Sequence, residues 1–110
     1  MRLTREQTIK FNKLLFSLVD KNVLFIAHHY NGHGLGSRDM YRLAAFEMAC
    51  YPSKHDCVAK TIYFNNGCKW VFIDDNYQSR IGRHSDLYVR NTLDNDFILI
   101  NNITNESEVV

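Results

Sequence analysis

The dipeptide Asn66-Gly67 sits between two runs rich in apolar and aromatic residues, Cys57 to Phe64 and Cys68 to Asp75. Asn-Gly accommodates the two positive-φ positions of a type I′ turn at little steric cost, so the segment reads as a β-hairpin. A two-residue turn there predicts Phe64 opposite Lys69, Tyr63 opposite Trp70, Ile62 opposite Val71 and Thr61 opposite Phe72. Both faces of such a hairpin carry large apolar groups, which a lone pair of strands cannot bury. The rest of the chain must supply a cover and further strands.

The cover is legible upstream. Thr4 with Gln7 forms a capping-box pattern, and Phe11, Leu14, Leu15, Leu18 and Val19 follow at helical spacing, which predicts an amphipathic helix over about Thr4 to Asp20. Val23-Leu-Phe-Ile-Ala27 is apolar at every position, the pattern of a strand covered on both faces. After the loop from His28 to Gly36, Ser37 and Asp39 open a second helix that runs to about Tyr51, ahead of Pro52. Leu87 to Arg90 and Phe97 to Ile100 read as short strands.

The expected fold is therefore α+β, with two helices packed on a mainly antiparallel sheet of four to five strands in the order α-β-α-β-β-β-β. Residues 1–100 form one domain, since a chain of 110 residues leaves no room for two. Residues 101–110 show no periodicity and read as a mobile acidic C-terminal tail. In topology alone, the N-terminal helix, second helix and terminal run of strands resemble cystatin-like domains, a likeness that carries no site.

The longest apolar stretch, Val23 to Ala27, is far below the roughly 20 residues of a spanning helix. Charges interrupt the first twenty residues, so no secretory h-region is expected. Three cysteines, Cys50, Cys57 and Cys68, are too few and oddly numbered for a disulfide scaffold and fit small core fillers in a reducing compartment. These features predict a cytoplasmic protein without membrane contact. Zinc could draw on His28, His33, His55, His84 and the cysteines, but the C-x6-C-x10-C spacing lacks a knuckle, so no metal and no cofactor are expected.

Two segments carry candidate chemistry. The loop His28-His-Tyr-Asn-Gly-His-Gly-Leu-Gly36 leads into a helix, where Gly32, Gly34, Gly36 and Ser37 can present amides to an anion. His33 or His28 could then act as general acid or base on a phosphoester. The loop lacks the Gly-Lys-Ser/Thr of a phosphate-binding P-loop and the spacing of a dinucleotide fingerprint. Downstream, Arg80 and Arg83 form a basic loop suited to phosphate or carboxylate. The net charge of +1 hides segregation: residues 1–22 hold five basic and two acidic groups, whereas residues 94–110 hold four acidic and none basic.

With no assembled catalytic constellation in the sequence, the expected function is a small binding protein that engages another macromolecule, most readily a protein. Tyr63, Trp70, Tyr77, Arg80 and Arg83 are its candidate contacts, because aromatic and arginine side chains concentrate in interface cores. The small, Asn-rich chain with one proline has the general look of a phage or mobile-element accessory or inhibitor protein. The alternative is a metal-independent phosphoesterase or phosphate-binding enzyme built on loop 28–37. A nucleic-acid binder is a further alternative, although no named nucleic-acid module is visible.

Overall fold

The computed structural model describes residues 3–28, 34–75 and 85–110. Helix α1, Arg5–Ser17, opens on the expected capping box, with Gln7 N–H donating to Thr4 Oγ1 at 3.1 Å and Thr4 N–H donating to Gln7 Oε1 at 2.9 Å. Strand β1, Val23–Ala27, is buried at all five positions. Helix α2 spans Ser37–Glu47, and Met48 caps its end. Six strands follow: β2 (Ser53–Asp56), β3 (Thr61–Phe64), β4 (Lys69–Asp74), β5 (Leu87–Asn91), β6 (Phe97–Asn101) and β7 (Glu106–Val109).

The α+β class holds, but the sheet has seven strands rather than four to five, in the spatial order β2-β3-β4-β1-β5-β6-β7. The sheet is mixed. β1 runs parallel to β4 on one side and to β5 on the other, whereas the four outer pairings are antiparallel. The parallel β1–β4 pair forms because α2 and the β2–β3 hairpin carry the chain back to start β4 beside β1 in the same direction. The extra strands are the two edges. β2 is half-buried only at Ser53, and all four β7 residues are exposed, so neither needs an apolar alternation to belong to the sheet. β7 arises from the segment expected as a tail, through pairing of Ile98 with Val109 and Asn101 with Glu106.

The expected strand from Cys57 is shorter than predicted. Asp56 accepts hydrogen bonds from the amides of Val58 and Ala59, and Lys60 adopts φ 49°, so residues 57–60 turn the chain from β2 into β3. The Asn66-Gly67 hairpin forms with a register one residue away from expectation. Tyr63 pairs with Lys69, Ile62 with Trp70 and Thr61 with Val71. The turn uses three residues: Gly67 N–H donates to Phe64 O at 3.1 Å, and Gly67 itself takes φ 89°, as in a type I turn closed by a glycine bulge. A one-residue shift exchanges the faces of a strand. Trp70 therefore joins Ile62 and Phe64 beneath the helices, and Tyr63 points to the other side.

The helix-covered face holds the main core. Phe25 stacks on Phe72 at 4.4 Å, Phe11 of α1 stacks on Phe97 at 4.7 Å, and Tyr41 of α2 meets Phe72 edge-on at 5.7 Å. Trp70 is fully enclosed, and its Nε1–H donates to Leu18 O at 3.1 Å. The opposite face carries a second, smaller apolar cluster of Leu24, Ile26 and Ile73, with Val71 and Tyr88 beside it.

Candidate functional site

Parallel pairing puts the carboxyl ends of β4, β1 and β5 side by side, with β1 in the middle. In open sheets containing parallel strands, this end, where connections leave a central strand toward opposite sides, is where ligands are received. Each of the three strands ends in polar residues after an apolar run. His28 follows β1, Asp75 follows β4, and Arg90 lies near the end of β5. Strand alternation assigns Asp75 to the side of Ile73, His28 to that of Ile26 and Arg90 to that of Tyr88, all on the face without helices.

The three side chains meet. His28 Nδ1 lies 3.5 Å from Asp75 Oδ2, and the Arg90 guanidinium donates to the same carboxylate oxygen. The side chains of His28 and Arg90 are 39% and 36% exposed, whereas Asp75 is 14% exposed, so the carboxylate is set deeper than the two groups it orients. Two cationic or potentially cationic groups thus share one negative charge at a surface that water reaches.

The main chain beneath His28 is tightly held. The amide of His28 donates to Oδ1 of Asn91, a residue 1% exposed, and Asn91 Nδ2 donates to Leu35 O at 3.2 Å. Leu35 N–H donates in turn to Oδ1 of buried Asn95 at 2.9 Å. Gly34 takes φ 78°, and a Cβ there would collide with the carbonyl oxygen of His28. The ends of β1, β5 and the approach to α2 are therefore joined through buried amide side chains.

This architecture changes the anion cradle expected at the start of α2. Gly36, not Ser37, is the N-cap residue, and the Ser37 amide donates to Asp74 Oδ1 at 3.0 Å. Ser37 is buried, and Lys60 Nζ donates to its Oγ at 2.8 Å. Carboxylate and amide oxygens of the protein occupy the Ser37 and Leu35 amides, so this helix start is already complemented from within. Of the expected cradle, Gly34 and Gly36 serve backbone geometry and capping. Gly32 and His33 lie outside the described residues, as do Tyr77, Arg80 and Arg83 of the basic loop.

Among the candidate contacts, Tyr63 is exposed on the face away from the helices, but enclosed Trp70 cannot touch a partner in this fold. Cys50 and Cys57 are exposed and Cys68 is half-buried, so they are not the core fillers that the sequence suggested. The sulfur of Cys57 receives the Tyr41 hydroxyl at 3.6 Å. Burial first, then that contact and the nearby Cys57 and Asp56 charges, push the Tyr41 phenol up to about 12. Among the described residues, no three His, Cys, Asp or Glu side chains gather as metal ligands, and no helix is long and apolar enough to cross a membrane.

The sequence singles out His28 but not Asp75, Asn91 or Asn95, and it gives Arg90 only as the end of a short strand. The available signal was polar residues directly after apolar strand runs, Ile73-Asp-Asp75 and Val89-Arg-Asn91. A depression of about 450 Å3, lined by Leu87, Leu99, Asn101, Glu106, Ser107 and Glu108, lies toward the opposite end of β5 and has an acidic rim. Compared with known proteins, the chain matches no family model, no curated protein and no solved structure.

Proposed function

We propose that the chain is a binding module that receives an anionic group, phosphate or carboxylate, at the carboxyl end of its central strands, with His28 and Arg90 as the contacts. The observation that carries this reading is the convergence of these two half-buried side chains on the deeper Asp75 carboxylate. Arg90 spends part of its donor fork on Asp75 and keeps further N–H donors for a ligand, the geometry that suits bidentate recognition of oxyanions. Asp75 on the Nδ1 side of His28 leaves Nε2 for the ligand. This retains the binding-protein reading of the sequence and moves its contacts from Tyr63 and Trp70 to His28 and Arg90.

The enzyme alternative uses the same geometry. A histidine oriented by a carboxylate at Nδ1 is placed for acid–base work at Nε2, so a phosphoester held by Arg90 would be its substrate. One experiment separates the outcomes. On titration of the labelled protein with inorganic phosphate, the His28 ring and Arg90 side-chain NMR signals are expected to shift saturably at millimolar concentration, and Arg90→Gln is expected to abolish the response. Signals that stay unmoved would overturn the reading. Hydrolysis of an aryl phosphate that is lost in His28→Ala would favour the enzyme.

A further inference from the structure

Helix α1 crosses its face of the sheet on a diagonal. Near its start, Gln7 Nε2 donates to Asp94 O in the turn between β5 and β6, and just past its end Leu18 O accepts from Trp70 of β4. The corner where β5 begins and β6 ends therefore lies beside the helix, not under it. There Leu87 and Leu99 stay half-buried at the margin of the main core and floor the depression of about 450 Å3, which no residue of α1 lines. A neighbouring depression of about 360 Å3 shares Leu87 and Asn101 with it and adds Asp20 and Asp86, with Lys21 as the cation among the described lining residues.

β7 walls this groove and ends the sheet, and all four of its residues are exposed. Val110 N–H donates to Phe97 O, so antiparallel alternation turns the main-chain groups of Glu108 and Glu106 toward β6 and those of Ser107 and Val109 away from it. The outward groups make an open edge on which a further strand can pair. Glu108 pairs with Leu99 and Glu106 with Asn101, so both carboxylates stand on the groove side of the strand, and Ser107 and Val109 face the other way.

An incoming strand must therefore bring cationic side chains at alternate positions on the groove side. Lysine suits an acidic rim above an apolar floor, because its methylenes pack against apolar surface while its ammonium stays with the carboxylates. A second β7 would set glutamates beside glutamates, so the charge on this edge opposes symmetric pairing of two copies and favours a basic strand.

We propose that β7 is a docking edge for an extended basic segment of a partner protein, with Lys or Arg at alternate positions, which adds as a further strand and sets its cationic side chains against Glu106 and Glu108. The proposal does not rest on the anion site, which lies on the other face of the sheet, so either can fail alone.

The test is titration of the labelled full chain with the peptide acetyl-Lys-Val-Lys-Val-Lys-amide, followed by amide NMR and hydrogen exchange. Saturable shifts centred on Ser107 and Val109 are expected, with slower exchange of these two amides. Glu106→Lys combined with Glu108→Lys should raise the Kd roughly tenfold or more. Val109→Pro removes one outward N–H while leaving the charge and the bonds to β6 in place, a change that edge strands tolerate, and should weaken binding as well. Circular dichroism and thermal melting check that each variant folds. Acetyl-Lys-Pro-Lys-Pro-Lys-amide carries the same charge without the donors of its proline positions and should bind more weakly to the wild type. Equal binding of the two peptides, or shifts that leave the Ser107 and Val109 amides unmoved, would overturn strand addition. An affinity indifferent to the double charge reversal would remove the carboxylates from the site. Sedimentation of the chain alone as an open series of oligomers, lost in Val109→Pro, would overturn the basic partner in favour of an edge of a second copy.

Discussion

Gly34 and His28 are in contact through the main chain, with the α-carbon of the glycine against the histidine carbonyl and no room between them for a β-carbon. Gly34 also needs a positive φ of 78°, which an L side chain rarely adopts. Gly34→Ala is therefore expected to lower stability by roughly 1–3 kcal/mol, the scale of a strained non-glycine residue in that region. Urea denaturation measures this. An unchanged midpoint would mean that the segment before α2 does not press on His28.

Asn91 holds His28 and Leu35 at once from a site that water does not reach. Asn91→Leu keeps a similar volume but leaves the His28 amide and the Leu35 carbonyl without that partner. Orphaned buried polar groups cost about 1–3 kcal/mol each, so the loss should exceed that of an ordinary surface substitution. The His28 ring should also lose its anion-dependent NMR shift as its strand end loosens. A variant with wild-type stability and wild-type phosphate response would refute the anchoring role.

Trp70 is the only tryptophan and is fully enclosed, with its indole N–H committed to Leu18 O. Its fluorescence is expected to resist iodide quenching until the protein unfolds. Trp70→Phe should destabilise by about 1–3 kcal/mol, since it shrinks a packed side chain and removes one of the two hydrogen bonds that Leu18 O accepts, the other coming from Lys21 N–H. Ready quenching in the native state would contradict the observed hairpin register and revive the register with Trp70 opposite Tyr63.

Tyr41 supplies a pH signature. Its phenol is raised from 10.0 to about 12, so the neutral form is favoured in the folded state. The resulting stability is complete below pH 10, the unfolded value, and is lost as pH rises toward about 12. The difference in stability between wild type and Tyr41→Phe should therefore narrow across that window. A difference that stays flat from pH 9 to 12 would exclude the mechanism.

What was legible in the sequence depended on whether a segment had to bury something. α1 announced itself through its capping box and its core stripe, and β1 through five apolar positions. β2 and β7 were invisible because Ser-Lys-His-Asp and Glu-Ser-Glu-Val bury almost nothing, and only the sheet beside them makes them strands. The hairpin was located correctly and mispaired, because Asn65 joined the turn and put Gly67 in the bulge. That single residue decided whether Trp70 or Tyr63 met the solvent. At the site, His28 stood out in a histidine-rich loop. Its partners Asp75 and Arg90 come from strands whose parallel adjacency to β1 depends on long-range pairing, which no local pattern encodes.

The position of β1 also governs the order in which the molecule can assemble. Val23 pairs with Trp70 on one side and Leu87 on the other, both far along the chain. The most apolar strand thus emerges from the ribosome well before either neighbour and has no backbone partner until β4, and then β5, has been made. Such distant pairings favour slow closure and leave a sticky segment waiting. A nascent chain stopped before Leu87 should depend on chaperones and aggregate when released, whereas the finished protein surrounds that strand with two parallel neighbours and presents edges in which Val109 is the one apolar side chain.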